Sequence, residues 1–280
     1  MYKIGLSISS HLMTEQIFQN LKNAGILAIE ISHSSTKHLE YDNLPLFVEW
    51  AQQYGIELWS YHLPFWDENK KFISISDAET ADDTVKLFCN LIEQGAAVGI
   101  KNFVVHPSGE PIKTEDRAAH LMRAKQSLRI LADFASARGV VICVENLPRT
   151  CLGRNFNEIM DLISAHSALR VCFDTNHLLK ESYVDFICAL KDKIVTTHIS
   201  DYDFIDEKHW LPGEGAVDWN LLYHTLGDVG YDGVWLYELG FHNDKLPRVR
   251  DLTCEDFARN AKEIFEGKPI TTLLVKDENV

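Results

Sequence analysis

Five acidic or imidazole side chains, Glu145, Asp174, His177, His198 and Glu238, each stand at or just past the end of a short apolar run. The runs are VVICVEN (140 to 146), LRVCFDTNH (169 to 177), IVTTHISD (194 to 201) and GVWLYELG (233 to 240). Two earlier runs, ELWSYHLP and NFVVHPSG, end in the same way on His62 and His106. Carboxylates among buried apolar residues are costly unless something positive meets them. A shared divalent cation would offset that cost, and the set Glu145, Asp174, His198 and Glu238 suits Mn, Zn, Co or Mg without selecting among them. The bland alternative, a Lys, Arg or backbone amide for each acid, serves well for one such ending and poorly for four.

Further residues fit around that set. His177 follows Asp174 by three positions in DTNH, so both can face one cavity, and substrate contact is the expected role for His177. A proline comes within two residues of both His62 and His106, stiffening the turn beyond each strand and keeping the imidazoles aimed inward, as substrate contacts or second-metal ligands. The segment DEKHWLPGEGAVDW (206 to 219) adds His209, for a second metal or the substrate, and Trp210. In that segment Gly213 and Gly215 let the backbone pass close to something, and Trp219 is expected to pack the next helix on its neighbours. Arg149 and Arg154 are candidate grips for a phosphate or carboxylate, with surface salt bridges as their ordinary alternative.

Elements able to position these groups are legible in the punctuation. Helical stretches end on Gly25, Gly55, Gly99, Gly139 and Gly230, and each glycine is followed by an apolar, β-branched run. Three-to-four-residue spacing marks one buried stripe per helix, as in Ile17, Leu21 and Ala24, or Leu121, Leu128, Leu131 and Phe134. Thr14, Asp77 and Thr114 read as helix starts. Eight strands are predicted near 2 to 8, 26 to 32, 56 to 62, 101 to 106, 140 to 145, 169 to 174, 194 to 199 and 233 to 238, with seven helices between them and an eighth at 255 to 267. Continuous apolar runs imply parallel strands covered on both faces. Eight such units imply an α/β fold, a closed (β/α)8 TIM barrel, as a single domain over residues 1 to 280.

The irregular stretches 63 to 76, 146 to 155, 201 to 217 and 239 to 254 all follow strands, so they should share one end of the barrel with the acids and histidines. The tail ITTLLVKDENV is read as a surface or subunit-contact segment. A formal charge of −14 repels polyphosphates, which makes nucleic acid a disfavoured partner. No run approaches a membrane span and MYKIGLSIS lacks a signal-peptide core, so a cytoplasmic protein is expected. The six cysteines show no CxxC spacing and are read as reduced packing thiols.

The segments IEIS (with Glu30), HLPF, VVHPSG, VENLP, CFDTNH, THISD, PGEGAVDW and YELG together resemble the xylose-isomerase-like barrel superfamily of sugar isomerases and epimerases, whose relatives include type IV apurinic endonucleases. The resemblance spans nearly the whole chain. It implies that Glu145, Asp174, His198 and Glu238 bind one divalent metal, and that Glu145 and Glu238 also transfer protons. His62, His106 and His209 occupy positions similar to those that hold two further zinc ions in the endonuclease branch. Glu207 stands where that branch uses Asp, a departure that, with the acidic surface, argues against a nuclease.

The implied activity is isomerisation or epimerisation of a small sugar or sugar phosphate through an enediolate, with Phe65, Trp66 and Trp210 as an apolar wall. The alternatives are a multinuclear-zinc phosphodiesterase and a dehydration of an inosose or keto acid on the same metal. Relatives of this kind commonly form homo-oligomers.

Overall fold

A computed structural model of the chain describes residues 1–275. Strands and helices alternate throughout: β1 (Lys3–Ser9), α1 (Glu15–Ala24), β2 (Ala28–Ser32), α2 (Leu44–Tyr54), β3 (Glu57–His62), α3 (Ala81–Ala97), β4 (Asn102–Val105) and α4 (Arg117–Ser136). The second half continues with β5 (Val141–Glu145), α5 (Phe156–Ile163), β6 (Arg170–Asp174), α6 (Tyr183–Leu190), β7 (Ile194–His198), α7 (Trp219–Asp228), β8 (Val234–Tyr237) and α8 (Cys254–Phe265). All eight strands are parallel, each beside its neighbour in sequence, with β1 paired to β8. The last seam closes just past β7, where Ile199 N–H donates to Leu236 at 2.8 Å and Glu238 N–H donates to Ile199 at 3.1 Å. The result is the expected (β/α)8 barrel, with each strand boundary within two residues of its predicted place.

Helix ends follow local chemistry in most cases. Thr14 caps α1 by accepting from Ile17 N–H, and Asn43, Asn155, Ser182 and Asp218 cap α2, α5, α6 and α7 in the same way. The five glycines expected to close helices all have positive φ, and Gly25, at φ 81, lets its N–H reach back to Leu21 and Lys22. Two expected starts differ. Asp77 accepts from Glu79 and Thr80 in a turn that precedes α3, and Thr114 opens a short 3-10 turn, so α4 begins at Arg117. In both places polar residues satisfy a turn before the apolar stripe begins.

Alternation along the strands aims the chemistry inward. Two residues before each site group, on the same strand face, lie Cys143, Cys172, Leu236, Val104 and Ala28, all buried inside the barrel. The next inward position is therefore Glu145, Asp174, Glu238, His106 and Glu30 respectively. Two register shifts extend the set. One extra residue opposite β2 makes Ser60 pair with Glu30 and His62 with Ser32, and another opposite β6 makes His198 pair with Asp174. Without these bulges both imidazoles would face the helices.

Loops at the C-terminal end are tied down individually. The Asp201 carboxylate accepts from the backbone N–H groups of Tyr202, Gly213, Gly215 and Val217 and from the Trp219 indole, at 2.8 to 3.2 Å. Gly215 is required there, because a Cβ would lie 2.4 Å from Asp201 Oδ1. A buried Glu214–Arg248 pair at 2.6 Å fastens this loop to the one after β8. The tail folds onto the same region, Val249 N–H donating to Leu273 and Val275 N–H to Pro247. Its remainder, 276–280, lies outside the described residues.

Replacing Asp201 by Ala strands five donors, at least two of them buried, and should cost about 3 kcal/mol or more. Urea unfolding measures this. A loss below about 1 kcal/mol would mean that other contacts hold the loop.

Candidate metal centre and active site

Glu145, Asp174 and His198 end β5, β6 and β7, Glu238 follows β8, and the structure brings all four to one point. His198 Nδ1 lies 3.2 Å from Glu145 Oε1, 3.3 Å from Glu238 Oε2 and 3.8 Å from Asp174 Oδ2. Glu145, Asp174 and His198 are fully buried. Asp174 Oδ2 has no hydrogen-bond partner among the described residues, an orphaned buried carboxylate oxygen that has every reason to meet a cation. Asn146 holds that aspartate, its side chain accepting from Asp174 N–H and donating to Asp174 C=O at 2.8 and 2.9 Å.

His62 belongs to the same cluster instead of facing it from across the mouth. Its Nε2 is 3.1 Å from Glu145 Oε2, and its ring stacks on His198 at 5.7 Å. An eight-stranded barrel is narrow enough for side chains of opposite strands to interleave. Donor atoms of His62, Glu145, His198 and Glu238 lie within 4.8 Å of one another, as do those of Glu145, Asp174 and His177, and of His177, Glu207 and His209. His106 approaches Glu145 at 3.3 Å and stacks on Phe65 at 4.4 Å.

Electrostatics differ between the two glutamates. Burial opposes the charge of Glu145, but His198 and His106 outweigh it and hold the carboxyl well below its ordinary range. Burial dominates at Glu238, and the neighbouring Glu145 and Asp174 charges add to it, so its carboxyl is pushed up to about 8 against the pull of His198. Burial would lower His198, yet Glu238, Glu30 and Glu145 around it raise it well above an ordinary imidazole. Positive charge is thus demanded at His198 Nδ1, and in the metal-free chain a proton supplies it. The oxygen and nitrogen donors, the unpaired Asp174 oxygen and this demand together fit a divalent cation.

Above the floor a cavity is lined by Phe65, Trp66 and Phe72 on one side and by His106, Glu145, His177, Glu207, His209 and Glu238 toward the bottom. Two lining residues, Arg149 (φ 52) and His209 (φ 50), hold left-handed backbone conformations, which cost non-glycine residues about 1 kcal/mol each. Trp210 does not form part of this wall. Its backbone pairs with Asp201 at 2.7 and 3.0 Å, and Lys208 sits 5.9 Å over its ring. Phe72, in the expected irregular stretch, takes the place in the wall.

Arg149 is not a free anion grip either. It bonds Glu110 at 2.6 Å, Asp206 at 2.8 Å and Glu207 at 2.9 Å, strapping together the loops after β4, β5 and β7. Arg154 lies 3.7 Å from Glu158. Glu30, Asn146 and Phe72 had no role assigned from sequence, and Glu207 was placed there only as a departure from the endonuclease branch. Glu30 carried the clearest signal, an acid at an inward position of an apolar strand, whereas nothing local distinguishes Asn146 from other strand-end residues. Among the described residues no helix is long and apolar enough to cross a membrane.

Comparisons agree with this architecture. An inosose isomerase of Bacillus licheniformis is 28% identical over 205 residues, covering 69% of this chain and 71% of that protein. A fructoselysine 3-epimerase of Escherichia coli O157:H7 is 26% identical over 164 residues, covering 56% and 54%. The crystal structure of a D-tagatose 3-epimerase-like protein superposes with a TM-score of 0.75 at 21% identity, covering 94% of this chain and 96% of that one. A family model, xylose isomerase-like TIM barrel, matches residues 18–259, and the chain belongs to that family.

Proposed function

We propose that this chain is a divalent-metal-dependent epimerase or isomerase of a ketose or related polyol. The observation that carries the reading is the meeting of Glu145, Asp174 and Glu238 around one imidazole nitrogen at the floor of a cavity with an aromatic wall. Glu145, Asp174, His198 and Glu238 are the residues that would hold the cation, whose charge would acidify the C–H beside a sugar carbonyl. The inosose isomerase and fructoselysine 3-epimerase relatives support the same class of chemistry.

Glu145 and Glu238 reach the cavity from strands on either side of β7 and serve as the two proton carriers. Without metal Glu145 is held ionised while Glu238 keeps a proton up to about 8, and ligation to the cation would hold both ionised, so either glutamate would accept the proton and the other return it. Phe65, Trp66 and Phe72 pack against the apolar face of the sugar and exclude water. His177 and His209, donating through Nδ1 to backbone carbonyls at 2.9 and 3.0 Å, are fixed toward the substrate space. The one guanidinium in the lining is neutralised by three carboxylates, which favours an unphosphorylated substrate.

A multinuclear-zinc phosphodiesterase has one observation in its favour, the grouping of His177, Glu207 and His209. The charge of −14 and the neutralised Arg149 weigh against a polyphosphate substrate. Metal content separates the two readings: about one ion per chain supports the epimerase and about three support the phosphodiesterase.

Incubation of the metal-loaded protein with a ketose panel in deuterated water should wash deuterium into C3 or C1. A diketone or conjugated product instead would indicate dehydration, and no label in any sugar would refute proton transfer. Glu238→Gln should lower exchange by about 10²-fold or more and weaken metal binding with it. Free ketoses should outperform their phosphates by about tenfold in kcat/KM.

Metal uptake should also depend on pH. Since metal-free Glu238 keeps its proton up to about 8 and His198 Nδ1 carries one as well, a cation must displace both, so affinity should climb at least about tenfold, and up to about 100-fold, per pH unit from 6 toward 8. Titration calorimetry in buffers of different ionisation heat would detect the released protons, and a pH-independent affinity would contradict ligation by Glu238.

A further inference from the structure

The buried imidazoles of the site are oriented in two different ways. His62, His177 and His209 each donate Nδ1–H to a backbone carbonyl, of Leu63, Asn146 and Glu238, at 2.9, 2.9 and 3.0 Å. Each then turns Nε2 toward a carboxylate, Glu145 for His62 and Glu207 for the other two. His198 is reversed. Its Nε2 meets the Glu30 carboxylate at 3.0 Å, and its Nδ1 is the atom that faces Glu145, Glu238 and Asp174.

Glu30 is fully buried and held on two sides. Ser7 Oγ donates to Oε1 and Ser60 Oγ to Oε2, both at 2.8 Å. An ionised carboxylate only accepts hydrogen bonds, so the hydrogen between Glu30 and His198 must sit on Nε2. Burying an acid in the barrel interior costs stability that an apolar residue would not. Among the described residues no Lys or Arg accompanies it, and the partner that can carry charge at close range is His198.

We infer that Glu30 is a positioning residue: it commits His198 to carry its hydrogen on Nε2 and to offer Nδ1 as the ligand atom, and its charge makes that nitrogen a stronger donor to the cation. The inference rests on the metal-dependent reading above. It makes the floor a two-layer device. Glu145, Asp174, Glu238 and His198 Nδ1 would touch the ion, and Glu30, from β2 on the far side of the imidazole, aims the one nitrogen among them.

Calorimetry with Mn or Zn alone, on the wild type and Glu30→Gln, tests this. The variant keeps the size and removes the charge; its amide oxygen still accepts from one serine, and the other serine hydroxyl turns to accept from its NH2. Metal affinity should fall about 10- to 100-fold at a temperature where the metal-free variant is still fully folded. A purely structural residue would lower metal-free stability and leave the affinity of the folded molecule unchanged. Nitrogen-15 imidazole spectra of the zinc-loaded wild type give a readout that needs no variant, and they should show His198 bound through Nδ1 with hydrogen on Nε2. Coordination through Nε2, or a variant that binds metal within about twofold of wild type, would overturn the role of Glu30 and leave the metal-dependent reading standing. A wild type that binds neither metal would overturn both.

Discussion

Everything at the mouth of this barrel depends on a concentration of negative charge that the fold cannot neutralise by itself. Glu30, Glu145, Asp174 and Glu238 converge on one imidazole, and three of the four are fully buried. Among the described residues, lysine and arginine, the usual partners of buried acids, are not among the close partners of this group. The protein meets the demand with histidines, which can be cations when no metal is present and neutral ligands when one is. The same groups could therefore exchange protons for a cation, a property an Arg-based site would lack. Under the proposed function, stability and chemistry would be linked through this exchange, because a cation that binds only the folded chain stabilises it by mass action.

How much of this was legible in the sequence follows from the physics of each element. Strand ends that change abruptly from Val, Ile and Phe to Glu, Asp or His announce themselves, since alternation leaves no other place for an acid in a strand covered on both faces. That is why Glu145, Asp174, His198 and Glu238 could be placed together, and why all eight strands lie close to their expected bounds. The bulges opposite β2 and β6 were not legible. A single extra residue leaves no compositional mark, yet it decides that His62 and His198 point inward. The placement of His62 beside Glu145 instead of across the cavity is one consequence.

Loop residues were harder for a different reason. Arg149, Trp210 and Glu207 lie in segments whose conformation depends on partners 30 to 60 residues away, such as Glu110 and Asp206 for Arg149. Sequence could supply Arg149 with an anionic partner but could not say whether that partner was substrate or protein. Likewise an aromatic after the seventh strand could serve as wall or as support. The backbone pairing of Trp210 with Asp201 settles it as support, and Phe72 from the β3 loop closes the cavity instead. The tail, read as a possible subunit contact, pairs over residues 273–275 with the loop after β8 of its own chain.

Floor and rim thus solve separate problems. The floor is built on strands, where hydrogen-bonded neighbours leave side chains little freedom, so the distances between its acids and imidazoles are set by the barrel itself. The rim is built on loops held by charged pairs, Arg149 with Glu110, Asp206 and Glu207, and Arg248 with Glu214. Partly exposed pairs of this kind contribute modestly to stability but confine where a loop can go. Spending Arg149 on the rim also takes up the guanidinium that lines the cavity, leaving it little free charge to attract a phosphate. Under the proposed function, substrate selection by charge would be a by-product of how the loops are fastened, and changing the carboxylates around Arg149 would alter selection without touching the groups at the floor.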